Sequence, residues 1–340
     1  MTMSEVFFLE VEDGQDDWEM LGEKVSEKVS EKFGEEDSVA VKLHFGERRS
    51  DTHLKPEFVR PIYDSLDSEE KCLTDCTVLY KGDRSFADTH KEVAEDNGFG
   101  FGKIVIADGQ DGSHESKIDI EGGEHFEKVK IGKKMEEYDS LLAVSHMTGH
   151  GANGLGAALK NVGMGLGSKG GKLEMHSAFE LKVDISGCTG CMTCIRNCPE
   201  DAISLVDGKA EIDHERCIGC GKCISVCPEN AVRIPWGASS SRELQERIAE
   251  YTKGAVKGKK TYYINVMMDM TNECDCINTR QEKALEDIGI LVSEDPVAID
   301  QAAIDLIGED AYGNGIDYEA QVRHAENLGL GSREYRLKEL

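Results

Sequence analysis

The chain is poor in proline, with six in 340 residues, short of basic side chains, and without a long apolar run. The scarcity of proline, joined to 39% hydrophobic content and many periodic segments, excludes a disordered polymer. No stretch approaches the roughly 18 consecutive apolar residues of a membrane helix, which excludes membrane insertion. The N-terminal stretch is acidic and lacks the pattern of a secretory leader, so the expected location is the cytoplasm. Thirty-nine lysines and arginines face 66 aspartates and glutamates, a formal charge of -27. Such a field repels nucleic acid backbones and anionic membranes, excluding both as general partners while leaving room for a local basic site. The acidity is read either as solvation in a salty or crowded cytoplasm or as a docking field for a basic partner protein.

What is abundant is cysteine, and eight of the twelve fall in one segment, CTGCMTCIRNCPEDAISLVDGKAEIDHERCIGCGKCISVCP, from Cys188 to Pro228. Cys188, Cys191, Cys194 and Cys198 precede Pro199 in the spacing C-x2-C-x2-C-x3-C-P, and Cys217, Cys220, Cys223 and Cys227 precede Pro228 in a second copy. In this pattern three close thiolates hold one 4Fe-4S cluster and the fourth ligates its neighbour. One cluster is therefore expected on Cys188, Cys191, Cys194 and Cys227, the other on Cys217, Cys220, Cys223 and Cys198. Apolar residues Ile195, Ala202, Ile203, Ile218, Ile224, Ala231 and Val232 are expected to pack around them. Zinc is the competing thiolate metal, but four-sulfur zinc sites lack the paired C-P repeat. The segment resembles bacterial two-cluster ferredoxins over about fifty residues, which implies one-electron transfer at low potential.

On either side, short apolar runs alternate with helical periods. Strands are predicted at Val6–Val11, Val39–Leu43, Thr77–Tyr80, Lys103–Ala107, Phe126–Ile131, Ser140–Val144 and Thr261–Met268. Helices are predicted at Trp18–Phe33, from Pro56, at Asp88–Asp96, Ser239–Thr252, Gln281–Ile288 and Pro296–Leu306. This alternation predicts an α/β class, a layered parent domain in two parts, 1–182 and 235–340, with a two-cluster ferredoxin-like α+β domain, 183–234, inserted between them. Two separate parent domains joined by a ferredoxin linker form the rival arrangement.

The segment from Ser145 to His176 is crowded with glycine and carries Lys160, Lys169 and Lys172, with a short helix expected from near Gly154 whose N-H groups could meet an anion. It is not a P-loop, which requires GK followed by Ser or Thr. Beyond the strand YYINVMMDM stands the CDC of Cys274 to Cys276, whose thiols are expected to be held apart, and unbridged, by an extended backbone. KLHFGE at Lys42–Glu47, HMTGHGANGLGAALKNVGMGL at His146–Leu166, the CDC and GILVSEDPVAID at Gly289–Asp300 together resemble the domain-of-unknown-function family 362, in its form with an inserted ferredoxin module. That resemblance covers nearly the whole chain and implies an iron-sulfur protein, usually of anaerobic or archaeal cells, whose reaction the family name leaves open.

A second centre is expected where these motifs meet. His44, His146, His150 and Lys160 are its candidate catalytic residues. Cys274, Cys276, His146, His150 and His176 are candidate ligands of an additional metal, with Asp300 nearby, because each sits near the end of an apolar run and α/β sheets place sites at strand ends. Buried histidines bonded to backbone, structural cysteines, a helix-capping Asp300, and Lys42 or Lys160 paired with buried carboxylates are the bland alternatives. Cys72 and Cys76 read as isolated thiols. The functional expectation is an oxidoreductase or reductive-activation enzyme passing single electrons from a redox partner protein, through the clusters, to a small anionic substrate. A non-catalytic electron-transfer subunit and a metal or cluster carrier are its rivals.

Overall fold

The computed structural model describes residues 3–176, 181–234 and 239–340. Its frame is an eight-stranded sheet built from β1 (Ser4–Glu10), β2 (Val39–Lys42), β3 (Lys71–Asp75), β4 (Ile104–Ile106), β5 (Ser140–His146), β6 (Lys260–Met267), β7 (Gly289–Ser293) and β8 (Tyr335–Glu339). The order is β8-β1-β7-β6-β5-β2-β3-β4. β2 to β6 run parallel, while β7 is antiparallel to both of its neighbours. The domain is therefore mixed α/β, and strands from before and after the cysteine segment lie side by side in one sheet. The rival of two separate parent domains falls with that pairing of β5 and β6.

Alternation along the strands sorts side chains to two faces. Val39, Val41, Leu142, Val144, Ile264 and Val266 pack under α1 (Trp18–Ser30) and α2 (Pro56–Asp64). Ala40, Leu141, Ala143 and Tyr263 pack under α3 (Ala158–Leu166), α4 (Ser241–Val256), α5 (Pro296–Ile307) and α6 (Glu319–Asn327). Asp17 and Ser240 accept backbone N-H groups at the starts of α1 and α4, and Ser240 forms a capping box with Glu243. Asp300, on α5, accepts the N-H groups of Ala158 and Leu159 at 2.9 Å each and the Asn265 amide at 2.8 Å. It caps a neighbouring helix rather than its own. No helix among the described residues is long and apolar enough to cross a membrane.

Some sequence expectations fail locally. Residues 77–80 form no strand, because β3 ends at Asp75 and the chain leaves the sheet there. The 281–288 helix is absent: a bridge from Thr271 to Lys283 and bonds from Asp269 and Gly14 to the Asp287 carboxylate hold that segment irregular. The helix expected from Gly154 begins instead at Ala158, after a short strand at Gly154–Gly156. Lys128–Gly132 pairs with Glu115–Asp119 in a separate ribbon. Between Leu181 and Ile234, Lys182–Val183 pairs antiparallel with Val232–Arg233 and Ile203–Val206 with Lys209–Ile212, alongside short helices at Thr193–Arg196 and Lys222–Val226. Leu181, Ile203, Ile224, Ala231 and Val232 share one apolar cluster with Cys188, Cys194 and Cys227. Ile218 does not join it and is 53% exposed. Residues 235–238, the start of the expected second parental part, lie outside the described residues.

Candidate functional site

The parallel strands deliver their carboxyl ends to one edge of the sheet, and a cavity of about 930 Å³ opens there. Strand β2 brings Lys42 and then His44, β3 brings Asp75, β5 brings His146, and the segment after β6 brings Cys274 and Cys276. His150, Lys160 and His176 complete the wall, so every candidate for the second centre except Asp300 lines the same space. Asp300 lies in the core beneath α3.

The floor is a buried ionic network. Lys42 lies 3.2 Å from Asp75 and 2.7 Å from the Asn161 side-chain oxygen. Arg84 reaches Asp75 at 3.3 Å, Glu47 at 2.8 Å and the Tyr80 hydroxyl at 3.0 Å, and that hydroxyl donates to Glu47 at 2.5 Å. Burial alone would raise the Asp75 carboxyl, but the charges of Lys42, His90 and Arg84 hold it below its ordinary value. Burial lowers Lys42, and Asp75 opposes that loss. The alternative in which Lys42 pairs with a buried carboxylate is the one present here, and the roles of Asp75, Arg84, Glu47 and Tyr80 are not legible from spacing. The end of β3 is the one signal that points to Asp75.

Each histidine's bonding decides what it can do. His146 has both ring nitrogens against acceptors, Nδ1 at 2.8 Å from the Asp275 carboxylate and Nε2 at 2.9 Å from the Met268 carbonyl. Burial works against its proton, but Asp275 outweighs burial and the pKa is raised. With both nitrogens against acceptors, His146 clamps Asp275 in this structure. His150 Nδ1 accepts the N-H groups of Ala152 and Asn153 at 3.1 and 2.9 Å. Burial, then Lys160 and His176, hold its pKa well down, so the ring is neutral with its proton on Nε2. In that tautomer Nε2 carries the N-H as a hydrogen-bond donor. His44 likewise accepts from Gly46 on Nδ1 at 3.0 Å, and its Nε2 is enclosed without a partner. His176 is lowered to about 4 by burial and by Lys160 and Lys172.

The carboxylates of the wall are consumed, Glu47 and Asp75 by the network and Asp275 by His146. Lys160 has no hydrogen bond or carboxylate partner among the described residues, and Lys172 donates only to the carbonyls of Gly165 and Gly167. In a chain of charge -27 the cavity is thus locally cationic. Cys274 lies against Cys276, whose N-H donates to the Cys274 sulfur at 3.4 Å. The Cys276 thiol bond, opposed by burial and aided by Lys160, lowers the Cys274 pKa, while Cys276 moves well up.

The eight clustered cysteines line two much smaller hollows. Cys188, Cys191, Cys194 and Cys227 surround one, and Cys198, Cys217, Cys220 and Cys223 the other. Backbone N-H groups point at sulfur from Ala202 to Cys198 at 3.3 Å, Ala210 to Cys188 at 3.4 Å and Ala231 to Cys227 at 3.2 Å. Among the described residues, no three His, Cys, Asp or Glu side chains converge as they would on a single metal ion.

A family model described as "Domain of unknown function (DUF362)" matches residues 39–305. The chain belongs to the DUF362 family. Two solved structures resemble this DUF362 protein in part. A lactate racemase apoprotein from Thermoanaerobacterium thermosaccharolyticum is 14% identical with a TM-score of 0.37, the match covering 76% of this chain and 55% of that one. A protein from Thermotoga maritima is 11% identical with a TM-score of 0.42, covering 94% and 60%. The chain thus spans little more than half the length of either. No curated protein matches it.

Proposed function

We propose that this DUF362 protein is an iron-sulfur oxidoreductase whose segment 183–234 is a two-cluster ferredoxin-like unit inserted in the α/β domain. In this reading Cys188, Cys191, Cys194 and Cys227 hold one 4Fe-4S cluster, and Cys217, Cys220, Cys223 and Cys198 hold the other. The donor sets fit: four thiols surround each hollow, and backbone N-H groups aimed at sulfur suit a thiolate-bound cluster. Bound clusters supply single electrons at low potential, delivered by a redox partner protein.

The observation that carries the reading is a shared wall. Leu79 lines the large cavity and belongs to the same apolar cluster as Cys188, Cys194 and Cys227. Lys81, two residues on, lines the cavity and donates to the carbonyls of Cys227 and Pro228 at 3.2 and 3.0 Å. One layer of side chains therefore separates the cysteine segment from the cavity. Within the cavity, the Lys160 ammonium, unpartnered among the described residues, and the His150 Nε2-H suit a small anionic substrate, a carboxylate or phosphate.

The test is metal and sulfide analysis with electron paramagnetic resonance on anaerobically purified chain. The expected result is about eight irons and eight sulfides per chain, with reduced-cluster signals that shift when a carboxylate or phosphate occupies the cavity. Zinc in place of iron, or reduced-cluster signals indifferent to every anion tried, would overturn respectively the cluster assignment and its coupling to the cavity.

A further inference from the structure

The CDC segment does not have the extended backbone expected of it. Ile277 N-H donates to the Cys274 carbonyl at 3.0 Å, closing a turn over residues 274–277. The ends of such a turn, residues 274 and 277, lie within about 7 Å, so the chain folds back at the two cysteines instead of extending, as a disulfide with Cα atoms about 4.4–6.8 Å apart requires. Asp275 is drawn off by His146 at 2.8 Å, so the residue between the cysteines does not separate their sulfurs. Both thiols line the large cavity with Lys160. The Gln281 side chain donates to the Cys274 carbonyl at 3.2 Å, tying the turn at its first cysteine.

We propose that Cys274 and Cys276 are a redox-active dithiol that cycles with an intramolecular disulfide, and that its substrate is a low-molecular-weight disulfide bearing carboxylates, positioned by Lys160 and His150. Cys274 is the attacking sulfur, because it receives the Cys276 N-H at 3.4 Å and has Lys160 nearby, both of which favour thiolate. Its thiolate attacks one sulfur of the substrate, forming a mixed disulfide and expelling one substrate thiolate. Cys276 then gives up its proton and attacks the Cys274 sulfur, which forms the Cys274–Cys276 disulfide and expels the second substrate sulfur. The proton ends on one of the two product thiols. The protein dithiol is oxidised by two electrons and the substrate disulfide is reduced by the same two. Return of the pair to the dithiol takes two electrons and one proton. Iron-sulfur clusters, if held by the eight clustered cysteines, would supply those electrons one at a time, and only this return step rests on the function proposed above.

The experiment uses anaerobic full-length chain incubated with oxidised glutathione, quenched in acid, alkylated and read by peptide mass spectrometry. The expected product is a 274–276 peptide lighter by two hydrogens, free of a glutathione adduct. Cys276→Ser traps glutathione on Cys274, whereas Cys274→Ser leaves Cys276 unmodified over the same time. Lys160→Gln slows the reaction with oxidised glutathione by about tenfold or more and slows that with cationic cystamine much less, since only the thiolate contribution of Lys160 is lost there. Full alkylation of both cysteines after exposure, or equal and independent glutathione adducts on each, overturns the dithiol. Equal slowing toward both disulfides in Lys160→Gln overturns the anionic substrate class. Iron and sulfide measured on the same samples report the cluster reading separately, since the forward half-reaction proceeds without clusters.

Discussion

Asp75→Asn removes one charge from the floor of the cavity and preserves the shape. Asp75 is 3% exposed, is the carboxylate paired with Lys42 and the second carboxylate on Arg84 after Glu47, and it also accepts the Cys76 N-H at 2.9 Å. Arg84 keeps Glu47 after the substitution, but Lys42, 1% exposed, is left with only the Asn161 and Leu43 oxygens. Breaking a buried pair by removing one partner costs about 3–5 kcal/mol. In native-state hydrogen exchange that is about two to three and a half decades of lost protection for the amides of β2 and β3, where global opening allows it. The pH dependence follows from the two shifts. Lys42 is lowered in the folded chain, so between that value and its unfolded value of about 10.4 the unfolded state binds more protons, and stability rises with pH. Removing Asp75 widens that window downward, so the variant regains protection as pH climbs from about 7 toward 10, after correction for intrinsic exchange. Asp75 itself is lowered, so the native chain loses stability as pH falls through its folded value, an acid limb that the variant lacks. Lys42→Met with Asp75→Asn restores more than half the loss, since neither charge is then stranded. Less than tenfold change in β2 and β3 exchange for Asp75→Asn, or a double variant no better protected than it, would refute this account of the floor.

Two further outcomes follow from close contacts away from the floor. Gly22→Ala places a Cβ 2.4 Å from the Phe58 carbonyl oxygen and 2.9 Å from Pro61, forcing α1 off α2; a loss of about 1–3 kcal/mol, read as a lowered thermal midpoint, is expected, and an unchanged midpoint refutes the contact. His146, raised by Asp275 against burial, contributes stability in full below its ordinary value of about 6.5 and loses it as pH rises through the folded value. Corrected exchange of amides 269–277 should therefore quicken with rising pH in the native sequence and be flat in His146→Gln; parallel profiles would deny the clamp.

What was legible in the sequence was whatever repeats or alternates over several residues. Strands β2, β5 and β6 announce themselves as apolar runs, so Lys42, His146 and the CDC could be placed at strand ends. Strand β3, KCLTD, is short and half polar, and its two-residue period is too brief to read; the strand was expected at 77–80, and Asp75, Tyr80 and Arg84 were lost with it. The charged 281–288 segment has a helical look, but the bonds at Asp287 and Lys283 override propensity. The histidines were legible as neighbours and illegible as chemistry. Whether a ring offers a lone pair or an N-H is set by backbone groups such as Gly46, Ala152 and the Met268 carbonyl, and no spacing rule encodes those.

The position of the cysteine segment follows from how its ends meet. Lys182–Val183 pairs with Val232–Arg233, so the intervening loop is closed at its base by two registered residues, and the sheet is not parted to admit it. Closing a loop costs little more as it lengthens, which is why some fifty residues can be housed there without disturbing β5 and β6. What ties the segment to the α/β domain is a set of three lysines. Lys169, buried, donates to the Ser85 carbonyl and to the Ser225 hydroxyl at 2.8 Å each, Lys222 pairs with Asp111 at 2.7 Å, and Lys81 holds the Cys227 carbonyl. Gly170 faces the Gly219 carbonyl so closely that a Cβ there would stand 3.2 Å from it. These contacts reach the stretch from Leu79 to Ser85 that also walls the cavity and supplies Tyr80 and Arg84 to its floor. The cysteine segment and the floor residues that hold Glu47 and Asp75 therefore meet on one stretch of chain, Leu79 to Ser85.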